Sequence, residues 1–324
     1  MSAETEAGGL AMAAVTAGFA PSIHNTQPWR WRVSGSTLEL WAARDRQLPV
    51  TDPVGRMLVL SCGTALHHAR VALAAEGWQA GVERLPDPAQ PDLLARVTVA
   101  QPIDMTRAAV RLLQTARVRH TDRRPVADTP VDPAAIDHLR QVADREGGQL
   151  HVLRRDDVAA LARAASRARQ VERSDRQWAE ELTYWSGGER REDLGVPDQV
   201  IPSTPPHTTV PGHEFSPTGK LPMGPGDDRA AVYAILYGDE DAELVWLRAG
   251  EALSAVWLEA VQQGLTVLPL SAAAEVPETR QLLRDLLGDL GQPFLALRIG
   301  VGTDREGPPA TPRLPAAQTI EIAS

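Results

Sequence analysis

The chain has 324 residues, of which only one is a cysteine, Cys62, and only one is a lysine, Lys220. A single cysteine excludes an intramolecular disulfide, a thiolate zinc site and an iron–sulfur cluster. No apolar run reaches the roughly 20 residues that span a bilayer. The net charge of −9 argues against nucleic acid or an anionic membrane surface as a partner. Glu4 and Glu6 stand where a secretory signal would be basic, so the expected location is the cytoplasm.

Common catalytic motifs are missing as well. The sequence has no Gly-rich dinucleotide fingerprint and no phosphate-binding P-loop. His67 and His68 are adjacent, so on a helix they point about 100° apart and cannot chelate one metal ion. Ser61 and Ser254 have no nucleophile-elbow context. We therefore predict no metal and no catalytic side chain, and we expect a bound organic cofactor to carry the chemistry.

The composition is otherwise that of a globular protein, with 43% hydrophobic and 23% charged residues. The length leaves room for two domains. Helical periodicity and capping residues predict helices over 8–20, 56–76, 106–119, 132–145, 157–184 and 242–263. Short apolar and β-branched runs predict strands over 29–33, 38–41, 94–100, 149–153, 232–237 and 294–301.

An internal repeat links two of the predicted helices. Shifting the sequence by 187 residues places Leu60, Gly63, Leu66 and Gly77 on Leu247, Gly250, Leu253 and Gly264. The match rests on few identities, so it could also join two ordinary apolar helices. Because both stretches share their start, length and terminal glycine, we favour a duplication. It divides the chain into halves at about 1–115 and 116–324.

A long irregular segment at about 186–228 breaks the symmetry of the halves. It has eight prolines between Pro197 and Pro225. A structureless stretch of this length is usually either a functional lid or a disordered linker. Apolar residues recur in it every few positions, which favours a lid pressed onto a surface; they are Val196, Ile201, Val210, Phe215, Leu221 and Met223.

Four shorter motifs are candidates for ligand binding. Residues 20–29 (APSIHNTQPW) place polar side chains between two prolines, which suits either a ligand or a rigid turn. Residues 119–125 (RHTDRRP) could hold a phosphate or form a solvated linker. Residues 264–272 (GLTVLPLSA) predict an apolar loop after a core helix, with small residues that admit a ligand. Residues 311–315 (TPRLP) add an arginine in a rigid extended segment.

Together these motifs resemble those of the FMN-dependent nitroreductase family, and their arrangement is most similar to the Acg group of fused, lid-bearing flavoproteins. The resemblance implies an α+β nitroreductase-like fold. Family members are normally homodimers with FMN in the interface. Two tandem halves would form that dimer within one chain, so we expect a monomer.

The resemblance also implies the cofactor-binding residues. Those for the phosphate and nearby FMN atoms would be Arg119, Thr121, Arg123 and Arg313. The contribution normally made by the partner subunit would come from Pro21, Ser22, Ile23 and Asn25. The isoalloxazine ring would lie beside Pro269, Leu270, Ser271 and Ala272, with a backbone N–H of Ser271 or Ala272 near N5. Each half then carries one side of a composite site, which predicts one FMN per chain.

The chain departs from the family pattern at two positions. Thr311 stands where a lysine is common, and Ser271 where an acidic residue is frequent. The expected function is that of an FMN-binding oxidoreductase, with NAD(P)H as a possible electron donor and an unidentified small-molecule acceptor. Two alternatives remain open: a non-catalytic protein that sequesters FMN beneath its lid, and a structural relic that binds no flavin.

Overall fold

The computed structural model describes residues 3–186, 193–215, 218–304 and 307–323, with residues 3–6 as backbone only. The helices are α1 (Ala3–Ala17), α2 (Arg56–Ala75), α3 (Arg107–Val118), α4 (Pro133–Arg145), α5 (Arg155–Ser174), α6 (Arg176–Ser186), α7 (Glu243–Gln262), α8 (Ala272–Glu275), α9 (Pro277–Leu287) and α10 (Ala316–Thr319). The strands are β1 (Trp29–Ser34), β2 (Thr37–Ala42), β3 (Trp78–Arg84), β4 (Leu93–Pro102), β5 (Gln149–Val152), β6 (Val232–Gly238), β7 (Leu265–Leu270), β8 (Gln292–Val301) and β9 (Ile320–Ile322).

The first sheet has the strand order β3-β4-β2-β1-β9. Along β1, Trp29, Trp31 and Val33 are buried and the residues between them are exposed, because side chains alternate between the faces of a strand. The buried face packs with residues of α1 and α2 into one core. Strand β9 pairs in parallel with β1, so residues 320–322 join the sheet that begins at Trp29.

The second sheet is antiparallel, with the order β5-β6-β8-β7. Its central strand β8 is buried along nearly its whole length. Residues of this sheet form a second core with α4, α5, α7 and α9. Each sheet therefore has its own core, and the two cores meet along α2 and α7.

Helices α2 and α7 pack closely against each other where Gly63 and Gly250 meet. A Cβ atom at Gly63 would lie 2.0 Å from the carbonyl oxygen of Leu247, and one at Gly250 would lie 2.0 Å from that of Leu60. The contact is reciprocal, and it joins the same positions that the sequence repeat overlays. Helix α2 is long and apolar enough to cross a membrane by length and composition, but 89% of its most apolar window is buried inside the protein, as in a core helix.

Most predicted elements are confirmed to within a few residues, and three predictions are wrong. The predicted helix 157–184 is two helices, because Asp175 has an extended backbone and its carboxylate accepts hydrogen bonds from the N–H groups of Gln177 and Trp178. The predicted loop 264–272 contains strand β7, which accommodates Pro269 because it lies at a sheet edge. The first helix runs from Ala3 to Ala17 rather than over 8–20.

The described part of the predicted lid packs onto the protein. Val196, Val200 and Ile201 form a small buried cluster with Phe215 against it, and Val210 is buried in the core of the second sheet. Residues 187–192 and 216–217 of the predicted lid lie outside the described residues.

Candidate functional site

A cavity of about 590 Å³ brings several of the predicted motifs together. Its size is within the range of small-molecule sites, roughly 300–1,000 Å³. Eight of the predicted cofactor-binding residues line it: Pro21, Ser22, Ile23, Thr121, Arg123, Pro269, Leu270 and Ser271. The segment 201–215 of the predicted lid contributes much of the remaining wall.

The turn at residues 21–27 is held in an unusual backbone conformation. His24, Asn25 and Gln27 have positive φ angles of 43°, 57° and 48°, a region that costs free energy for residues other than glycine. Hydrogen bonds hold this conformation: Ser22 Oγ accepts from the Gln27 N–H at 2.9 Å, and Ser61 Oγ accepts from the Ile23 N–H at 3.1 Å. The sequence left two interpretations of this motif open, a rigid turn and a ligand-binding loop. In the structure the motif is a rigid turn, and residues 21–24 of that turn line the cavity.

Asn25 and Arg313 bind each other rather than lining the cavity. Arg313 Nη1 donates to Asn25 Oδ1 at 2.8 Å, and Asn25 Nδ2 donates to the carbonyl oxygens of Gly195 and Pro312, each at 3.1 Å. These bonds tie the turn to the start of the lid segment and to residues 312–313. Ala272, also predicted to contact the cofactor, is buried at the start of α8 and is not among the lining residues.

Arg119 is buried, and Arg123 and Arg313 are partly buried, each without a hydrogen-bonded carboxylate among the described residues. The guanidinium of Arg119 stacks at 4.4 Å on the ring of Trp257, which lines the cavity, and its Nε and Nη1 have no acceptor in the described part of the chain. Burial, together with the charge of Arg313, lowers the pKa of Arg119 to about 9. Burial likewise lowers the pKa of Arg123 and of Arg313 to about 10. All three stay charged at neutral pH, so this region has a surplus of positive charge.

Arg124 and Arg298 show the contrasting arrangement. Arg124 pairs with Asp122 at 2.8 Å, and Arg298 pairs with Asp228 at 3.1 Å. These are structural ion pairs whose charges are already compensated. The arginine-rich motif at 119–125 thus divides into Arg119 and Arg123, which face the cavity or its wall, and Arg124, which stabilises the local fold.

A buried cluster beside the cavity was missed by the sequence reasoning. His213 Nδ1 lies 3.2 Å from Glu172, while its Nε2 lies 3.3 Å from Glu275 and 2.9 Å from Ser271 Oγ. Burial opposes the charged imidazolium, but Glu275 and Glu172 outweigh it and hold the pKa of His213 well above its usual value. The ring of His24 lies 4.9 Å from that of His213. No local spacing in the sequence signals this cluster, because its residues come from four distant segments.

The structure combines an α+β fold with a cavity whose lining includes Arg123, Arg169 and Arg173. No family model matches the chain. It is 41% identical over 310 residues to "Putative NAD(P)H nitroreductase Rv3131" of Mycobacterium tuberculosis, covering 93% of this chain and 88% of that protein. It is 35% identical over 309 residues to "Putative NAD(P)H nitroreductase acg" of the same organism, covering 94% and 92%. The chain belongs to this nitroreductase family, as the sequence resemblance predicted.

Solved nitroreductase structures are more distant. The FMN and NADPH-dependent nitroreductase NfnB from a Sphingopyxis strain is 18% identical, with a TM-score of 0.43 over 66% of this chain and 99% of that chain. An FMN-dependent nitroreductase from Clostridium difficile is 11% identical, with a TM-score of 0.35 over 59% and 87%.

Proposed function

We propose that the chain is an FMN-dependent oxidoreductase that binds one FMN in the cavity and takes electrons from NAD(P)H. The names of its relatives support this activity. The observation that carries the proposal is the surplus of positive charge from the buried Arg119 and the partly buried Arg123 and Arg313. Buried ions are costly unless they are paired, so these arginines call for an anion.

The residues present fit the phosphate of FMN. Guanidinium groups form short, strong hydrogen bonds to phosphate oxygens, and Arg119 has two unpartnered nitrogen atoms to offer. Arg119 stacks on Trp257 and is not itself among the lining residues. Thr121 and Arg123 line the cavity and can add a hydroxyl and a second positive charge. Arg313, bound to Asn25, acts behind them by placing the turn and by adding its charge.

The apolar part of the cavity fits a flat aromatic ring. Its lining includes Ile23, Leu60, Leu253, Trp257, Leu268, Pro269 and Leu270. When bound, FMN would supply the hydride-accepting chemistry of the reaction. The chain itself would orient the ring, exclude water and hold the phosphate.

A composite site between two halves is supported by where the lining residues originate. The turn at 21–24 precedes the predicted boundary near residue 115, while Thr121, Arg123 and Ser271 follow it. The reciprocal crossing of α2 and α7 also supports an internal pseudo-dimer, because two-fold interfaces pair each contact with its equivalent. We infer one FMN per chain and a monomer in solution.

A lid role for the segment 201–215 is supported by its contacts with predicted cofactor-binding residues. His213 bonds to Ser271, and Arg123 lies 5.0 Å from the ring of Phe215. A nicotinamide needs to approach within about 3–3.5 Å of its acceptor atom. We infer that the closed lid slows reduction by NAD(P)H.

Anaerobic reduction of the purified protein tests the proposal. Flavin extraction should give about one FMN per chain, and NADPH or NADH should bleach its absorption, slowly if the lid restricts access. Two flavins per chain would contradict the composite site. Bound FMN that neither nucleotide reduces, even after the lid is removed, would favour the FMN-storing alternative, which the relatives' names do not support.

A further inference from the structure

The buried cluster beside the cavity has the composition of a metal site. His24, His213 and Glu275 each place one ligand atom within 4.8 Å of the others. They come from the turn at 21–27, from the lid segment and from the end of α8. Three distant segments therefore converge on one point.

The buried carboxylate of Glu275 has few partners among protein groups. Glu275 has no exposed side-chain surface, and neither of its carboxylate oxygens accepts a hydrogen bond in the described part of the chain. The second buried carboxylate, that of Glu172, lies beside His213 and is also acted on by the charges of Arg169 and Arg173. A cation between His24, His213 and Glu275 would supply the partner that the Glu275 carboxylate lacks.

The distances also suit a metal ion. The 3.3 Å between His213 Nε2 and Glu275 Oε1 is the edge of a tetrahedron whose corners lie about 2.0 Å from its centre, which is the usual length of zinc bonds to nitrogen and oxygen. The strained backbone of His24, with φ of 43°, holds a second imidazole next to them.

Glu172 occupies the position of an outer-shell partner. Its carboxylate lies 3.2 Å from His213 Nδ1. A carboxylate at one ring nitrogen keeps the proton there and leaves the lone pair of the other nitrogen free for a metal. Nε2 is the nitrogen that points toward Glu275, and it would exchange its present contact with Ser271 Oγ, at 2.9 Å, for the metal ion.

We propose that His24, His213 and Glu275 bind a divalent transition-metal ion, with Glu172 as a positioning residue. Two imidazoles and a carboxylate favour zinc and other first-row transition-metal ions over magnesium or calcium. The ion would fasten the lid segment to the turn and to α8 at the cavity wall. The site needs no flavin, so it does not depend on the proposed function.

Zinc is the probe for the test. The full-length protein is treated with EDTA, dialysed and titrated with Zn²⁺ by calorimetry, with metal content measured after gel filtration. One Zn²⁺ per chain is expected. His213→Gln and Glu275→Gln should weaken binding at least tenfold, and Glu172→Gln by about 10- to 100-fold, as for other outer-shell partners. His138→Gln is the matched control, because His138 forms an exposed pair with Glu259 away from the cavity and should bind zinc like the original chain.

The proposal is overturned if the original chain binds no zinc, or if Glu275→Gln binds it unchanged. The first result would leave the cluster as ion pairs that hold the segment in place. Should Glu275→Gln fail to fold, His24→Gln at the cavity wall supplies the same comparison. FMN content is recorded in every sample, since zinc without flavin would contradict only the proposed function, and flavin without zinc only this proposal.

Discussion

Replacing Arg119 with methionine should stabilise the flavin-free protein while weakening FMN binding. If Arg119 has a structural role, the substitution should lower the stability of the flavin-free protein. If Arg119 is held in place to bind a ligand, the substitution should raise that stability. Arg119 has two nitrogen atoms without acceptors and no hydrogen-bonded carboxylate among the described residues. Methionine retains an unbranched apolar side chain against Trp257 and removes the buried charge.

The magnitude follows from the environment of the guanidinium. Its pKa falls from 12.5 to about 9, which corresponds to about 5 kcal/mol of unfavourable free energy for the charged form. In the original chain, stacking of Arg119 on Trp257 offsets about 1–2 kcal/mol of this cost. In the variant, imperfect packing of the methionine lowers the stability by about 1 kcal/mol. The flavin-free variant should therefore be more stable by about 2–3 kcal/mol. Losing one charge-assisted contact should weaken FMN binding about 10- to 100-fold.

Urea unfolding of both flavin-free proteins and FMN titration by fluorescence measure the two effects. Arg298→Met is the matched control, because Arg298 is equally buried but pairs with Asp228. Removing it leaves Asp228 as an uncompensated buried charge, which should destabilise the protein by about 3–5 kcal/mol. If Arg119→Met is destabilised like the control and binds FMN with unchanged affinity, Arg119 is a structural residue and the phosphate assignment fails.

Three further outcomes are expected. Replacing 195–223 with a short Gly/Ser linker should speed reduction of bound FMN by NAD(P)H; an unchanged rate in a variant that retains FMN would refute lid occlusion. Gly63→Ala should destabilise the protein by at least about 2 kcal/mol in urea unfolding, because its Cβ would overlap a backbone oxygen. Gly8→Ala is the control and should not destabilise the protein, because no atom lies within 4 Å of its Cβ. Light scattering should give a mass near 35.0 kDa; twice that value, with FMN released on dissociation, would contradict the internal pseudo-dimer.

The elements that the sequence predicted well have strong local signals. Helix α2 is ended by Gly77, whose φ of 84° is the left-handed conformation expected after a helix. Helix α4 begins at the predicted capping residue Asp132, which accepts a hydrogen bond from the Ala134 N–H. Strand β3 was missed although Trp78, Ala80 and Val82 alternate with Gln79, Gly81 and Glu83, because a glycine and an alanine at its centre weaken the strand signal.

The site was only partly predictable for a different reason. The motifs at residues 20–29, 119–125 and 264–272 are visible locally, and eight of the residues named from the family resemblance line the cavity. His213 and Glu275 have no distinctive neighbours in the sequence, and only the packing of the lid segment on α8 brings them together. Asn25 and Arg313 were named as cofactor residues, yet their side chains bind each other.

The bonds around Asn25 have a consequence for how the protein is made. The turn at 21–27 is secured by residues 312–314, since Pro312 accepts from Asn25 and the Leu314 N–H donates to Gln27, across 287 residues of chain. At translation rates of about 5–20 residues per second, those residues leave the ribosome roughly 15 to 60 s after the turn does. Strand β1 must also wait that long for β9. During this interval the edge of β1 that β9 later covers is unpaired, and an unpaired strand edge is a template for pairing with other chains.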